Sequence, residues 1–109
     1  MKKRKFSTGA VRDVVDEKLR FNMYNSPLVE YRFAKYMLAN AKKYGEGNWK
    51  KGIPKEVYLE SLLRHVMALW LKEECGIDDG TSSDHASGVR FNIDGFMQEE
   101  EVEKLKNQS

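Results

Sequence analysis

Residues 54–76 read PKEVYLESLLRHVMALWLKEECG, and the fold turns on this stretch. Pro54 suits the first turn of a helix, where its missing N–H removes nothing, and Gly76 is the stop. Between them Tyr58, Leu62, Val66, Leu69 and Trp70 recur at helical spacing, while Leu59, Leu63 and Met67 widen the apolar face until two sides need cover. Working backward, Ser26-Pro27 opens another helix as N-cap and first position. Val29, Phe33, Tyr36, Met37, Ala41 and Tyr44 give it one apolar face, and Lys42, Lys43 and Gly45 close it. Forward of Gly76, IDDGTSS is a turn-rich linker, from which Ser82 or Ser83 caps a third helix carrying Ala86, Val89, Ile93, Phe96 and Met97. Gly88, Asn92 and Gly95 add a second stripe of small residues to it, and glycine weakens a helix interior by roughly 1 kcal/mol against alanine, so close helix approach or room for a ligand is implied.

The expected fold is all-α: a small bundle of three main helices at 26–44, 54–75 and 83–103, completed by oligomerisation. Residues 1–25 read as an N-terminal arm with a short helical turn around 11–20, and residues 26–106 as the helical domain. The polar end EEEVEKLKNQS should fray. No strand alternation and no internal repeat is evident.

The chain has 109 residues, 40% of them apolar and 11% aromatic, enough for one globular domain and too aromatic for a disordered one. No apolar run approaches the roughly 20 residues that span a bilayer, and MKKRKF lacks the apolar stretch of a signal peptide, so a cytoplasmic location is expected. The single cysteine, Cys75, has no internal disulfide partner and reads as a small filler near a helix end. Charge is divided along the sequence. Residues 1–20 hold seven basic side chains against three acidic ones, residues 30–55 seven against two, and residues 72–84 one against five. That balance suits a polyanion of limited size better than a long nucleic acid, and the lack of a spanning apolar run argues against a membrane partner. A solvated mixed surface is the plainer reading of the same charges.

Two helices carry polar groups where packing side chains belong. Glu60 and Arg64 are neighbours one turn apart, His65 lies at the edge of the apolar face, and Asp84-His85 opens the third helix, with His85, Gly88 and Asn92 on one face. Taken alone, these residues also fit a surface ion pair, a first-turn carboxylate and a hydrogen-bonded core histidine. The loop GEGNWKKGIP at residues 45–54 is basic and glycine-rich and carries Trp49, which fits either stacking on a ligand or plugging the core.

STGAVRD at residues 7–13, AKKYGEGNWKKGIP at 41–54, LLRH at 62–65, and Asp84-His85 with Phe91-Asn92 together resemble the phage dATP/dGTP diphosphohydrolase (N-terminal-type) family across roughly residues 7–98. That family is related to the MazG-like all-α nucleoside triphosphate pyrophosphohydrolases. The resemblance implies cleavage of purine deoxynucleoside triphosphates to monophosphate and pyrophosphate with Mg²⁺ or Mn²⁺, in a homodimer or dimer of dimers, in the host cytoplasm if phage-encoded. On this basis Arg12, Lys43, Lys51 and Arg64 would hold phosphates. Tyr44 and Trp49 would stack on the base, Asn48 would bond sugar or base, and His65, His85 and Asn92 would line the reacting centre. Glu60 and Asp84 would be the metal ligands. MazG-like enzymes hold metal through Glu-Glu-x-x-Glu on one helix and Glu-x-x-Asp on the next, because several carboxylates must neutralise a divalent ion. Where the first would fall this chain has Arg64 and His65, and near the second Asp84, His85 and Gly88. An arginine there can instead clamp phosphate oxygens.

Two other readings compete. One is a non-catalytic nucleotide- or protein-binding helical module derived from the family, which the departure from the acidic motifs favours. The other is a metal phosphohydrolase using His65, His85 and Asp84, which suit transition metals, although the order here is Asp-His where the His-Asp enzymes have the reverse.

Overall fold

The computed structural model describes residues 3–13 and 17–108. Among them the elements run β1 (Lys3–Lys5), β2 (Val11–Asp13), α1 (Phe21–Tyr24), α2 (Pro27–Tyr44), a 3-10 turn (Asn48–Lys51), α3 (Lys55–Cys75) and α4 (His85–Asn107). The three long helices make this an all-α bundle, and they begin and end for local reasons. Ser26 accepts a hydrogen bond from Val29 N at 3.3 Å, with Pro27 at the first helical position. Gly76 is left-handed at φ 67°, which lets Gly76 N donate to Lys72 O and Ile77 N to Leu71 O and so satisfies the last carbonyls of α3. The cap of α4 is Asp84 rather than Ser82 or Ser83: its carboxylate accepts from Ser87 N at 3.2 Å and Ser87 Oγ at 2.6 Å. That helix also runs past residue 103 to Asn107, its last turns tied by Glu101 to Lys104 and by Glu103 to Lys55.

The arm contains a β-hairpin, which the sequence pattern does not announce. Strands β1 and β2 pair antiparallel in the register Lys3↔Asp13, Arg4↔Arg12, Lys5↔Val11. The chain reverses at Gly9, whose φ of 91° disfavours a side chain, and the turn is closed by Phe6 N donating to Ala10 O. Of the expected turn around 11–20, residues 14–16 lie outside the described residues, and among the described residues the first helical turn is Phe21–Tyr24.

Helices α3 and α4 pack most intimately, and the buried stripe of α4 is the small one: Ser87, Gly88, Asn92 and Gly95. A Cβ on Gly88 would meet the His65 ring at 2.6 Å, and a Cβ on Gly95 would overlap the Tyr58 ring. The two glycines therefore accept two rings from α3, which accounts for their cost in helix propensity. The face that α3 turns to α4 is Tyr58, Leu62, His65 and Leu69, while Val66 and Trp70, expected on that face, point outward with Leu59, Leu63 and Met67. Tyr58, at 2% exposure, is the one hydrophobic side chain fully buried among the described residues. Its ring meets Phe91 edge-on, and Phe91 also meets Tyr36 and Trp49, so a single aromatic on α4 gathers α2, the glycine-rich loop and α3. Helix α2 is fastened to α4 by Arg90 to Glu30 at 2.8 Å and by Arg32 to Asp84. Cys75 ends α3 with its side chain exposed rather than filling a gap. None of the described helices is long and apolar enough to cross a membrane.

Candidate functional site

The arrangement of α2 beside the α3–α4 pair opens two adjoining clefts. The first, about 590 Å³, lies between the C-terminal half of α2, the glycine-rich loop and α3, with Met37, Leu38, Tyr44, Trp49, Ile53 and Phe91 among its walls. The second, about 780 Å³, lies between α2, α3 and the loop before α4, where Arg32, Lys35, Lys43 and Arg64 face His65, His85, Asp79 and Asp84. One cleft is aromatic and apolar and the other cationic. They meet at Asn40, Ser61 and Arg64, which line both.

The glycine-rich loop lies where this requires. Tyr58 Oη donates to Trp49 O at 3.5 Å, Ile53 N donates to Glu99 Oε1 at 3.4 Å, and Trp49 rests edge-on against Phe91. Trp49 is thus half-buried and still borders the first cleft, alongside Tyr44 and Asn48. Lys43 borders the second cleft, its ammonium 5.1 Å from the centre of the Tyr44 ring.

The two histidines meet. His65 Nδ1 and His85 Nδ1 are 3.0 Å apart, and His85 Nε2 lies 3.1 Å from Asp79 Oδ2. Burial and then the neighbouring His85 push the His65 imidazole below its ordinary titration range, so it is neutral near pH 7. Hydrogen bonds from the Thr81 hydroxyl and N–H hold the Asp79 carboxyl below its usual range. Asn92 does not join this pair. Its amide donates to Gly88 O in its own helix at 2.7 Å and it lines the aromatic cleft instead, because a side chain two turns into α4 is already past the histidines.

Three other expectations concern Arg12, Lys51 and the carboxylates Glu60 and Asp84. Arg12 sits in β2 opposite Arg4 and lines neither cleft, since the hairpin holds it in the arm. Lys51 ends the 3-10 turn, exposed, and borders neither cleft. The carboxylates expected to hold metal are committed elsewhere: Glu60 accepts from Arg64 at 2.9 Å outside both clefts, and Asp84 accepts a fork of two bonds from Arg32 at 2.6 and 2.9 Å. Residues 99–103, EEEVE, do have the Glu-Glu-x-x-Glu spacing, which the sequence analysis overlooked. Glu99 is bonded to Ile53 N and Glu103 to Lys55. Among the described residues no three His, Cys, Asp or Glu side chains are grouped to hold a metal ion.

The sequence also contains a residue pattern that covers most of the chain. The family model described as dATP/dGTP diphosphohydrolase, N-terminal, matches residues 8–108. The chain belongs to that family. No curated protein and no solved structure matches it. Within this diphosphohydrolase-family domain, the site residues that sequence reasoning missed are Asn40 and Ser61 at the junction and Arg32 and Lys35 in the cationic cleft. A signal for the junction was present: Asn40 stands one turn from Lys43 and Tyr44, and Ser61 one turn from Arg64 and His65.

Asp84 carries the entrance of α4 in this family domain, and its removal has a readable consequence. The Arg32 guanidinium, more than the Ser87 bonds, holds the Asp84 carboxyl well below the usual carboxylate range. Asp84→Ala is expected to cost about 1 to 2 kcal/mol, the usual range for a lost N-cap. A depressed folded value means that the contribution is full above the unfolded range near pH ~4 and is lost as pH falls below it. Thermal melts should therefore show the gap between wild type and variant narrowing from about pH 5 toward pH 2.

Proposed function

We propose that this domain is a nucleotide pyrophosphohydrolase that takes dATP or dGTP, with the purine in the aromatic cleft and the triphosphate in the cationic one, and releases monophosphate and pyrophosphate. What carries the reading is the junction: an aromatic, apolar cleft and a cleft lined by four cationic side chains share Arg64, Asn40 and Ser61. A nucleoside triphosphate has that same division, a stackable ring at one end and a polyanion at the other. Tyr44 and Trp49 would stack on the base and Asn48 would bond base or sugar. Arg64, Lys43 and Lys35 would hold phosphates, and Arg32 less so, being engaged by Asp84. The Glu60 partner of Arg64 is a surface carboxylate, and such pairs contribute about 0 to 1 kcal/mol, so phosphate can displace it. Among the described residues no carboxylates are grouped as a metal cage, and Mg²⁺ or Mn²⁺ would enter on the triphosphate. Incubation with the eight common nucleoside triphosphates and Mg²⁺ or Mn²⁺, followed by product chromatography, should give pyrophosphate and monophosphate from dATP or dGTP. Intact nucleotide throughout, with no binding, would overturn the reading. Binding without product would favour the second reading, a non-catalytic nucleotide-binding module, which the arginine-engaged carboxylates support.

The same proposal includes a second copy of the chain. Leu59, Leu63, Val66, Met67 and Trp70 form an exposed stripe on α3 directed away from α4. The radius of gyration is 19.4 Å, against about 13 Å for a compact chain of this size. Light scattering after size exclusion is expected to give a dimer or larger species at micromolar concentration, and Leu63→Glu should lower the mass. A monodisperse wild-type monomer would contradict it.

A further inference from the structure

We infer that His65 Nε2 is the proton acceptor for the attacking water, held in that form by a relay running from Asp79 through His85. The inference rests on the hydrolytic reading above, and its geometry comes from three contacts. Asp79, a carboxylate with Thr81 donating to it, can only accept, so His85 Nε2 carries the hydrogen of the 3.1 Å contact. In a neutral His85 the lone pair is then on Nδ1. In the relay the 3.0 Å contact has His65 Nδ1–H donating to that lone pair. The lone pair of His65 is left on Nε2. Gly88 lies against the flat face of the His65 ring and so holds its plane, and His65 lines the cationic cleft. Arg64 from α3, His85 from α4 and Asp79 from the preceding loop act on this ring electrostatically, and Arg32, Lys35 and Lys43 of α2 and Asp84 line the same cleft. Arg64 lines the same cleft, so a phosphate that it holds lies beside the imidazole.

The step balances without a further reactant. Water oxygen forms a bond to the α-phosphorus as its proton passes to His65 Nε2. The bond from the α-phosphorus to the α,β-bridging oxygen breaks, and its electron pair leaves on pyrophosphate. His65 then returns the proton to solvent. His65 is the catalytic residue here, and His85 and Asp79 are positioning residues.

The test joins kinetics to a measurement that does not depend on turnover. With dGTP, His65→Ala is expected to lower kcat by about 10² to 10⁴-fold, the usual range for a lost general base. Binding of a dGTP analogue with methylene in place of the α,β-bridging oxygen should stay within a few fold, and added imidazole should restore part of the rate. Asp79→Asn should lower kcat with KM little changed. Long-range ¹H–¹⁵N spectra of the wild-type protein should show hydrogen on Nδ1 of His65 and on Nε2 of His85. Turnover in a wild-type protein whose His65 carries hydrogen on Nε2 overturns the relay and leaves the hydrolytic reading standing. So does a His65→Ala variant at the wild-type rate, or one that imidazole cannot rescue. A wild-type protein that binds the analogue and releases no pyrophosphate from dGTP overturns both.

Discussion

Gly95→Ala is expected to lower the melting temperature by about 10 °C, although alanine is the better helix former. Its methyl group would overlap the Tyr58 ring, and that ring has nowhere to go: it is 2% exposed and packed against Phe91. Forcing extra carbon into a filled contact destabilises by about 1 to 3 kcal/mol, here at the upper end, and the helix-propensity gain of about 1 kcal/mol offsets only part of it. A net loss near 2 kcal/mol is a large fraction of a small domain's stability. The cause is identified by coupling: Gly95→Ala combined with Tyr58→Leu should destabilise by less than the sum of the two, as for residues in contact. A melting temperature raised by Gly95→Ala alone would show that α3 and α4 do not approach this closely.

Arg64→Ala is expected to weaken binding of dGTP by roughly 10 to 100-fold, since a charge-assisted hydrogen bond contributes about 1.5 to 3 kcal/mol. Arg64 is the charged member of the three residues common to both clefts, so its loss removes the anchor where the sugar would pass into the phosphates. Folding should hardly change, because the side chain is 65% exposed and its ion pair with Glu60 is a surface one. Arg64→Lys should fall between, keeping the charge and losing the planar fork. Glu60→Gln separates two accounts of that carboxylate. Where Glu60 merely competes with phosphate for Arg64, the variant binds dGTP as tightly as wild type or more so. Where Glu60 holds a metal ion, turnover collapses. Calorimetric titration of the analogue at low and high salt reads all of these, and wild-type affinity should decline as salt screens the cationic cleft.

The helices were legible because their ends are written locally, in Ser26-Pro27, Gly45 and Gly76. So was the need for a reason behind Gly88 and Gly95, which proved to be two rings from the neighbouring helix. Apolar spacing misled where it marked more surface than one chain can cover: Val66 and Trp70 are as apolar as Leu62 and Leu69, yet they point outward, and only the packed geometry separates them. The hairpin was hidden by its charges, since Lys3, Arg4 and Lys5 opposite Asp13, Arg12 and Val11 show no apolar alternation. In the candidate site, the expected approach of His65 to His85 is present, and the expected approach of Asn92 is not. His65 and His85 do meet, but Asn92 turns to its own backbone and Asn40 and Ser61, plain polar residues, occupy the junction. Arg12 and Lys51 were assigned from their motifs and their charge, and neither says on which side of a chain a residue lies.

The division of one nucleotide between two clefts is tested most directly by titrating its halves separately while following side-chain resonances. Deoxyguanosine should shift the Trp49 indole and Tyr44 signals and leave the His65 and His85 imidazoles in place. Inorganic tripolyphosphate should do the reverse, and dGTP should move both sets along with the Arg64 guanidinium. If both halves perturbed the same signals, or if dGTP moved only one set, the two-cleft account would be contradicted.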